Sequence, residues 1–310
     1  LEPGAGHVNL GFASTDIYGE DQKERLSHLL ESANAGRRIL IVCDNTGQQN
    51  RMEEILGAYR KEKGIQADSP NLLTLTGGLV ESSNVAMSQF GTTVSPEVRQ
   101  QYLERFGVGG GDALNWSGSP DAGFSADAAD WDNQTYYTTT FGQAFTVTPT
   151  QVVSVFQTIA NGGVRMPARL VESCTEADGT VVTPDEPDPV QVIKPETASQ
   201  VSQMLENVYA QGTLAADINI PGYRLGVKTG TAQVPDGNGG YKDGLYMTSL
   251  VGFAPAEDPQ YVVLTLFDEP KTNRMSSANR SVFKKAMMQV LTHYRIMPSN
   301  EATPLLPVTQ

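Results

Sequence analysis

The run Lys228-Thr229-Gly230-Thr231-Ala232 combines residue types that could bind an anionic substrate and stabilise a developing negative charge. Lys228 offers a positive charge to a carboxylate and to a neighbouring hydroxyl. Gly230 lacks a side chain, which lets a ligand backbone approach a strand closely. Thr231 offers a hydroxyl and a backbone N–H for an oxyanion. The same short motif also fits an ordinary strand with an exposed lysine and a turn-forming glycine, so its meaning depends on the rest of the chain.

A second candidate is Ser82-Ser83-Asn84, which lies upstream of Lys228 at a predicted interruption of a helix. Serine, any residue and asparagine is a short pattern. Three other places match it, beginning at Ser32, Ser69 and Ser277. The pattern alone therefore does not choose among the four serines.

Several segments together make the chain resemble the transpeptidase domain of penicillin-binding proteins, whose motif set is S-x-x-K, then S-D-N, then K-T-G. Residues 75–87 are similar to that family's helix–loop–helix around its second motif, which favours Ser82. Residues 142–151, followed by 159–163, resemble its hallmark segment between the second and third motifs. Residues 249–256 resemble its strand after the third motif. The resemblance covers about three quarters of the chain and is most like class B proteins of the division or elongation type.

This resemblance implies an α+β fold of the penicillin-binding protein and serine β-lactamase type, with an antiparallel sheet flanked by helices. It also implies peptidoglycan D,D-transpeptidase activity. In that reaction a serine attacks a D-Ala-D-Ala stem peptide, releases D-Ala, and the acyl group passes to an amine. β-Lactam antibiotics acylate the same serine.

The family's site roles transfer by motif position. Ser82 and Asn84 would shuttle a proton and hold the substrate amide, and Lys228 would tune the Ser82 hydroxyl. Thr229 and Thr231, on either side of Gly230, would bind the substrate carboxylate. The backbone N–H of Thr231 would form half of the oxyanion hole.

The attacking serine of the family should stand upstream of Ser82 as serine, two residues and lysine, where the lysine activates the serine. The only match in the chain is Ser281-Val282-Phe283-Lys284, which follows Lys228 and which we interpret as chance. Glu2-Pro3-Gly4 resembles the family's Glu-Pro-Gly-Ser, but Ala5 and Val8 stand where serine and lysine are expected. The sequence therefore assigns no nucleophile.

Three explanations compete for this departure. The protein could be a catalytically inactive relative, it could have a replaced N-terminal segment, or part of the catalytic apparatus could lie outside these residues. The leading prediction is a peptidoglycan D,D-transpeptidase domain. One alternative is a catalytically inactive cell-wall-binding or division-complex module, and another is a D,D-carboxypeptidase or β-lactamase-type hydrolase.

The partners that the resemblance implies are the peptidoglycan stem peptide, β-lactam antibiotics and other cell-division proteins. The implied location is the extracytoplasmic face of the bacterial cell membrane, with the anchor not in this chain. A net charge of -13 argues against nucleic acid as a partner. The two cysteines and three histidines show no ligand spacing, so we expect no metal, and nothing implies a cofactor.

Periodicity and capping residues predict the elements that would position these motifs. A helix over 72–90 is interrupted near 82–84, and Ser95-Pro96 and Thr148-Pro149 each start another helix. Later helices are predicted over 195–209 and 281–294. Three strands are predicted over 223–232, 249–254 and 261–267, and their short links favour an antiparallel meander.

The predicted domain organisation has three parts. Residues 1–66 do not resemble the family and contain a β-turn-α unit at 38–63, either packed on the main domain or separate from it. Residues 67–298 form the transpeptidase-like domain. Residues 299–310 form a tail, which we expect to be disordered.

Overall fold

A computed structural model describes residues 73–110, 114, 122–124, 126–184, 188–237, 240–271, 275–299 and 302–309. The segment 1–66, with Ala5 and the predicted unit at 38–63, lies outside the described residues. No helix in the described part combines the length and apolar character needed to cross a bilayer.

The described part contains eight α-helices and nine strands, most of the strands short. The helices are α1 (Leu75–Val80), α2 (Asn84–Gly91), α3 (Pro96–Arg105), α4 (Asn133–Thr138), α5 (Pro149–Ala160), α6 (Pro195–Gln211), α7 (Ala215–Ile218) and α8 (Arg280–His293). The strands are β1 (Gly123–Phe124), β2 (Phe145–Thr146), β3 (Val164–Arg165), β4 (Cys174–Thr175), β5 (Val181–Val182), β6 (Val190–Gln191), β7 (Gly226–Pro235), β8 (Tyr241–Ala254) and β9 (Tyr261–Asp268). Short 3₁₀ helices occupy Ala128–Asp130, Thr139–Phe141 and Ser276–Asn279.

The main sheet consists of β7, β8 and β9 in that order, and both pairs are antiparallel. The predicted α+β architecture and the predicted meander are thereby confirmed. β8 begins at Tyr241, well before the predicted start at Ser249. Residues 241–248 include the exposed Lys242 and Asp243, Gly244 and the fully buried Thr248, so they lack the regular apolar alternation that marks a half-buried strand.

The hydrophobic core lies between this sheet and two long helices, α6 and α8. Val227, Leu250 and Phe253 of the sheet are fully buried. Phe283 and Met287 of α8 are fully buried as well. Val227 and Phe253 lie on opposite faces of the sheet, because Phe253 pairs with Gly226, the neighbour of Val227. Core packing thus fixes β7 from both faces, and its outer edge remains to line a site.

Local capping explains where several helices begin. Ser95 and Thr148 cap α3 and α5 as predicted, and each helix has proline in its first turn. Thr148 and Gln151 form a reciprocal capping box, which satisfies backbone groups at the start of α5. The predicted interruption near residues 82–84 is confirmed, because α1 ends at Val80 and α2 starts at Asn84.

Residues 302–309 are ordered against the domain, so the prediction of a disordered tail was wrong for them. The Asn207 side chain donates to the Pro304 carbonyl at 3.0 Å, and Gln211 donates to the Leu306 carbonyl at 2.7 Å. The Thr74 backbone N–H donates to the Val308 carbonyl at 3.1 Å. These partners are backbone carbonyls of the tail, so its side-chain composition gives no sign of the contacts.

Candidate active site

The first wall of the candidate site is the strand β7. Lys228 pairs with Val251 of β8, and Gly230 pairs with Ser249. In the part of the chain that the structure describes, no strand pairs with the other side of β7. Its outer edge therefore offers backbone groups to a ligand.

The direction of those backbone groups follows from one hydrogen bond. The Thr229 carbonyl accepts from Lys228 Nζ at 3.1 Å, and we infer from this that it faces the outer edge. In an antiparallel strand, the N–H and C=O of one residue face the same side, and that side alternates along the strand. The N–H groups of Thr229 and Thr231 then face the outer edge together.

Gly230 is needed for packing as well as for access. A Cβ added there would come 2.6 Å from Ser249 Oγ on the neighbouring strand. Such an approach is too close for any real Cβ, so a larger residue would force the Ser249 hydroxyl to turn away. The Ser249 hydroxyl occupies the space beside Gly230.

The second wall is the loop of residues 81–83 between α1 and α2. Ser82 has a φ of 50°, a left-handed conformation that costs energy in a residue with a side chain. Backbone hydrogen bonds hold it there: Ser82 N–H donates to the Leu79 carbonyl at 3.2 Å, and Ser83 N–H to the Gly78 carbonyl at 2.9 Å. Ser83 also caps α2 through its hydroxyl. The result is an exposed Ser82 side chain in a defined position.

The two walls meet at Lys228 and Ser82. Lys228 Nζ lies 2.5 Å from Ser82 Oγ, although the two residues are 146 positions apart in the sequence. Burial lowers the pKa of Lys228 from 10.5 to about 8. No carboxylate in the described ranges forms an ion pair with this ammonium group. It is therefore available to a ligand carboxylate, and near neutral pH it can also give up a proton.

A sequence model described as the penicillin-binding protein transpeptidase domain matches residues 44–288. The chain belongs to the penicillin-binding protein transpeptidase family. The match begins at residue 44, so it includes residues 44–66 of the segment that the sequence analysis set apart.

Relatives of known name agree with this family. Penicillin-binding protein PbpB of Mycobacterium tuberculosis is 34% identical over 208 residues, which cover 64% of this chain and 30% of that protein. Peptidoglycan D,D-transpeptidase FtsI of Escherichia coli is 29% identical over 229 residues, which cover 73% of this chain and 37% of that protein. The chain thus matches about a third of the length of these relatives.

A solved structure gives the same result. Penicillin-binding protein 3 of Mycobacterium tuberculosis, complexed with ampicillin, superposes with a TM-score of 0.70 at 29% sequence identity. The superposition covers 78% of this chain and 56% of that one. The predicted fold of the penicillin-binding protein transpeptidase type is confirmed.

The remaining predicted site residues of this transpeptidase-family domain lie on the same two walls. Asn84 is exposed at the first position of α2, two residues after Ser82. Thr229 is half-buried, and Thr231 is exposed on β7. The structure brings Ser82 and Lys228 into direct contact and leaves Asn84, Thr229 and Thr231 on the elements beside them.

The competing motif matches have other surroundings. In the match that begins at Ser277, Asn279 is fully buried and donates to Thr248 Oγ1 at 2.9 Å. The pair Ser281 and Lys284 lies in the first turns of α8, which packs on β8 and β9. The matches at Ser32 and Ser69 lie outside the described residues. The contact with Lys228 supports Ser82 among the four serines.

Sequence reasoning missed Ser249, which lies directly across from Gly230. The glycine of the motif was the clue, because the residue paired with it on the adjacent strand can fill the space that a side chain would occupy. Finding it required the strand register, which the polar residues of β8 obscure. Within the described ranges, no group of three His, Cys, Asp or Glu side chains comes together as metal ligands.

Proposed function

We propose that this domain binds D-Ala-D-Ala stem peptides of peptidoglycan, and β-lactams, between β7 and the loop of residues 81–83, and takes part in D,D-transpeptidase acyl transfer. The observation that carries the proposal is the 2.5 Å contact between Lys228 Nζ and Ser82 Oγ. This contact brings together one residue from the position of the family's second motif and one from its third. If either motif were a chance match, the two residues would have no reason to lie in contact.

The chemistry of the two walls suits a peptide that ends in a carboxylate. The Lys228 ammonium and the hydroxyls of Thr229 and Thr231 can bind the carboxylate. The Thr231 N–H at the strand edge can donate to the scissile carbonyl, where negative charge develops as a nucleophile attacks. These groups act on the bound end of the ligand, whichever residue attacks it.

Ser82 and Lys228 can move the proton that acyl transfer requires. When a hydroxyl adds to the peptide carbonyl, its proton must reach a base, and the departing D-Ala nitrogen must gain one. With its pKa lowered to about 8, the Lys228 ammonium can pass a proton through the Ser82 hydroxyl to the departing D-Ala nitrogen near neutral pH, and the neutral amine can then take up the proton of the next attacking group. Asn84, beside Ser82, can hold the substrate amide.

The names of the relatives support this reaction class, since FtsI of Escherichia coli is named a peptidoglycan D,D-transpeptidase. Peptidoglycan lies outside the cytoplasmic membrane, so we propose that the domain acts at the extracytoplasmic face. The class B resemblance extends the proposal to other cell-division proteins as partners.

A second candidate function is a binding module that does not form an acyl-enzyme. The observation that favours it is Ala5 and Val8 after Glu2-Pro3-Gly4, where the family has serine and lysine. In that case the cleft would bind the same ligands reversibly. The two functions differ only in the covalent step.

A fluorescent penicillin separates the two candidates. The protein is incubated with the probe, polarisation measures total binding, and a denaturing gel measures the covalent part. A covalent adduct, mapped by peptide mass spectrometry, supports acyl transfer and identifies the attacking residue. Reversible binding without an adduct supports the binding module.

The variants Lys228→Met and Lys242→Met test the position of the site. Lys242 lies on the neighbouring strand β8, where it is exposed and pairs with Glu269 at 2.8 Å. We expect Lys228→Met to weaken probe binding at least tenfold, because a buried charge partner of the carboxylate is lost. Lys242→Met should leave binding unchanged. No binding by the parent protein, or equal binding by both variants, would refute the proposal.

A further inference from the structure

The C-terminal segment forms a strap across the domain, which we define as residues 296–299 and 302–309. It begins beside the residues that lead into β7. Ser299 N–H donates to the Gly222 carbonyl at 2.6 Å, and Ser299 Oγ accepts from the Arg224 N–H at 3.0 Å. The Tyr223 hydroxyl donates to the Ile296 carbonyl at 2.7 Å. The first part of the strap is therefore tied to the strand wall.

The middle of the strap lies along α6. Asn207 is fully buried, and its amide makes two bonds with the strap: it donates to the Pro304 carbonyl at 3.0 Å and accepts from the Leu306 N–H at 2.9 Å. Gln211, one turn later, donates to the Leu306 carbonyl at 2.7 Å. The bonds to Asn207 and Gln211 thus use the backbone groups of Pro304 and Leu306.

The end of the strap lies on the start of α1. Thr74, the N-cap of α1, donates from its N–H to the Val308 carbonyl at 3.1 Å and from its hydroxyl to the Pro307 carbonyl at 2.7 Å. Leu73 and Thr309 form an antiparallel bridge. A Cβ on Gly77 would lie 1.8 Å from the Val308 carbonyl oxygen, so the strap and α1 are in backbone contact.

These three attachments join the two walls of the candidate site. α1 is a single short helix that runs directly into Ser82, so a shift of its first residues is transmitted to the loop. α6 packs against both α1 and β7, and β7 carries Lys228. The strap thus spans from the lead into β7, over α6, to the first turn of α1.

We propose that the strap is a positioning element that holds Ser82 against Lys228. Its use in acyl transfer rests on the proposed function, whereas the positioning itself is a property of the fold. A tail that only adds stability would leave the Ser82–Lys228 contact intact when it is removed from a protein that stays folded. A positioning strap would not.

The pKa of Lys228 reports the Ser82–Lys228 contact in the absence of a ligand. Burial lowers this pKa to about 8, and the Ser82 hydroxyl contacts the ammonium group. If Ser82 moves away, water reaches Nζ and the pKa rises toward 10.5. Lysine labelled with ¹³C at Cε gives this pKa by NMR titration, and Lys228→Arg assigns its signal.

The titration is carried out on the full chain, on a chain that ends at Glu301, and on the full-length variant Thr74→Val. Thr74→Val removes the hydroxyl that donates to Pro307 and that also caps α1 by accepting from the Gly77 N–H. Only a rise of the Lys228 pKa in both the shortened chain and this variant therefore supports the strap. Thr92→Val is the matched control, because its hydroxyl bonds only within its own helix, to Ser88 and Gln89. Circular dichroism establishes which chains are folded.

We expect the Lys228 pKa to rise in the shortened chain and, by less, in Thr74→Val, and to stay at about 8 in Thr92→Val. A synthetic peptide of residues 302–310 should lower it again in the shortened chain. An unchanged pKa in a folded shortened chain would overturn the proposal. If the shortened chain does not fold, an unchanged Lys228 pKa in Thr74→Val would overturn the proposal instead. Penicillin binding does not enter this measurement, so its failure is distinguishable from failure of the proposed function.

Discussion

The two walls of the candidate site are held in different ways. β7 is fixed by a continuous ladder with β8 and by the fully buried side chains of Val227, Leu250 and Phe253. The loop that carries Ser82 lies between two short helices, and its support comes from local backbone hydrogen bonds, from the strap, and from Leu79 and Val80, which are partly buried against the core. One wall rests on a strand ladder and fully buried side chains, and the other on partly buried side chains and polar backbone contacts.

This difference predicts that the stability of the domain and the position of Ser82 depend on different contacts. Loss of core packing should unfold the whole domain, because the burial of apolar side chains is the main favourable term in folding. Loss of a backbone contact at the strap should cost less energy and should change mainly where Ser82 sits. Substitutions in the core should therefore lower stability, and substitutions at the strap should mainly move Ser82.

Phe253→Ala should have the largest effect. Phe253 is fully buried, and its ring fills the space in front of Gly226, where a Cβ would lie 2.4 Å from the ring. Removal of the ring should lower the free energy of unfolding by about 3–5 kcal/mol. Denaturant unfolding measures this value. Val282→Ala, at an exposed position of α8, is the control and should change it by less than about 0.5 kcal/mol.

Gly77→Ala tests the loop wall. In the full chain the new methyl group collides with the Val308 carbonyl, so the variant should be less stable by about 1–3 kcal/mol. In a chain that ends at Glu301 the collision is absent. There the same change should stabilise the protein by up to about 1 kcal/mol, because alanine favours a helix more than glycine does. An equal loss of stability in both chains would show that Gly77 is constrained by something other than the strap.

The pH dependence of stability tests the burial of Lys228. Its pKa is about 8 in the folded protein and 10.5 when exposed, so between these values the unfolded chain binds more protons. Stability should therefore rise with pH across this window, by on the order of 1–2 kcal/mol after allowance for partial exposure. Lys228→Met lacks this contribution, and the difference between parent and variant isolates it from other groups. A difference that stays constant from pH 8 to 10.5 would show that Lys228 is solvated.

Lys242→Met should have the smallest effect. Its ion pair with Glu269 is exposed on both sides, and such pairs contribute little to stability because water and salt screen them. The pKa of Lys242 is raised by the hydrogen bond from its ammonium group to Glu269 and by the negative charge of that carboxylate, opposite to the shift at Lys228. Unfolding at low and high salt measures the contribution, which should shrink as salt increases. A loss of stability that does not shrink with salt would mean that β8 depends on Lys242 for more than this exposed pair.

Much of the fold could be predicted from local signals in the sequence. The caps at Ser95 and Thr148 correctly start α3 and α5, because a hydroxyl followed by proline satisfies and preorganises the first turn. The three strands are apolar where they meet the core. The early part of β8, residues 241–248, could not be predicted, because its charged residues and glycine interrupt the apolar alternation, and pairing with β7 holds the segment.

The only part of the site that the sequence predicts is the set of residues in recognisable motifs. The family resemblance places Ser82 and Lys228 in one cleft, and the structure brings them into contact. Nothing in the local sequence predicts the strap, since most of its bonds join its backbone carbonyls to distant side chains such as those of Thr74, Asn207 and Gln211. Long-range contacts between backbone and side-chain amides leave no periodic pattern in the sequence.

The central claim is that Ser82 and Lys228 act together on one bound ligand, and a double-mutant cycle tests it most directly. Benzylpenicillin binding is measured for the parent, Ser82→Ala, Lys228→Met and the double variant. We predict a coupling energy of about 1 kcal/mol or more, because the two side chains are in contact and share the ligand. Effects that add to within about 0.3–0.5 kcal/mol would contradict a common site for the two residues.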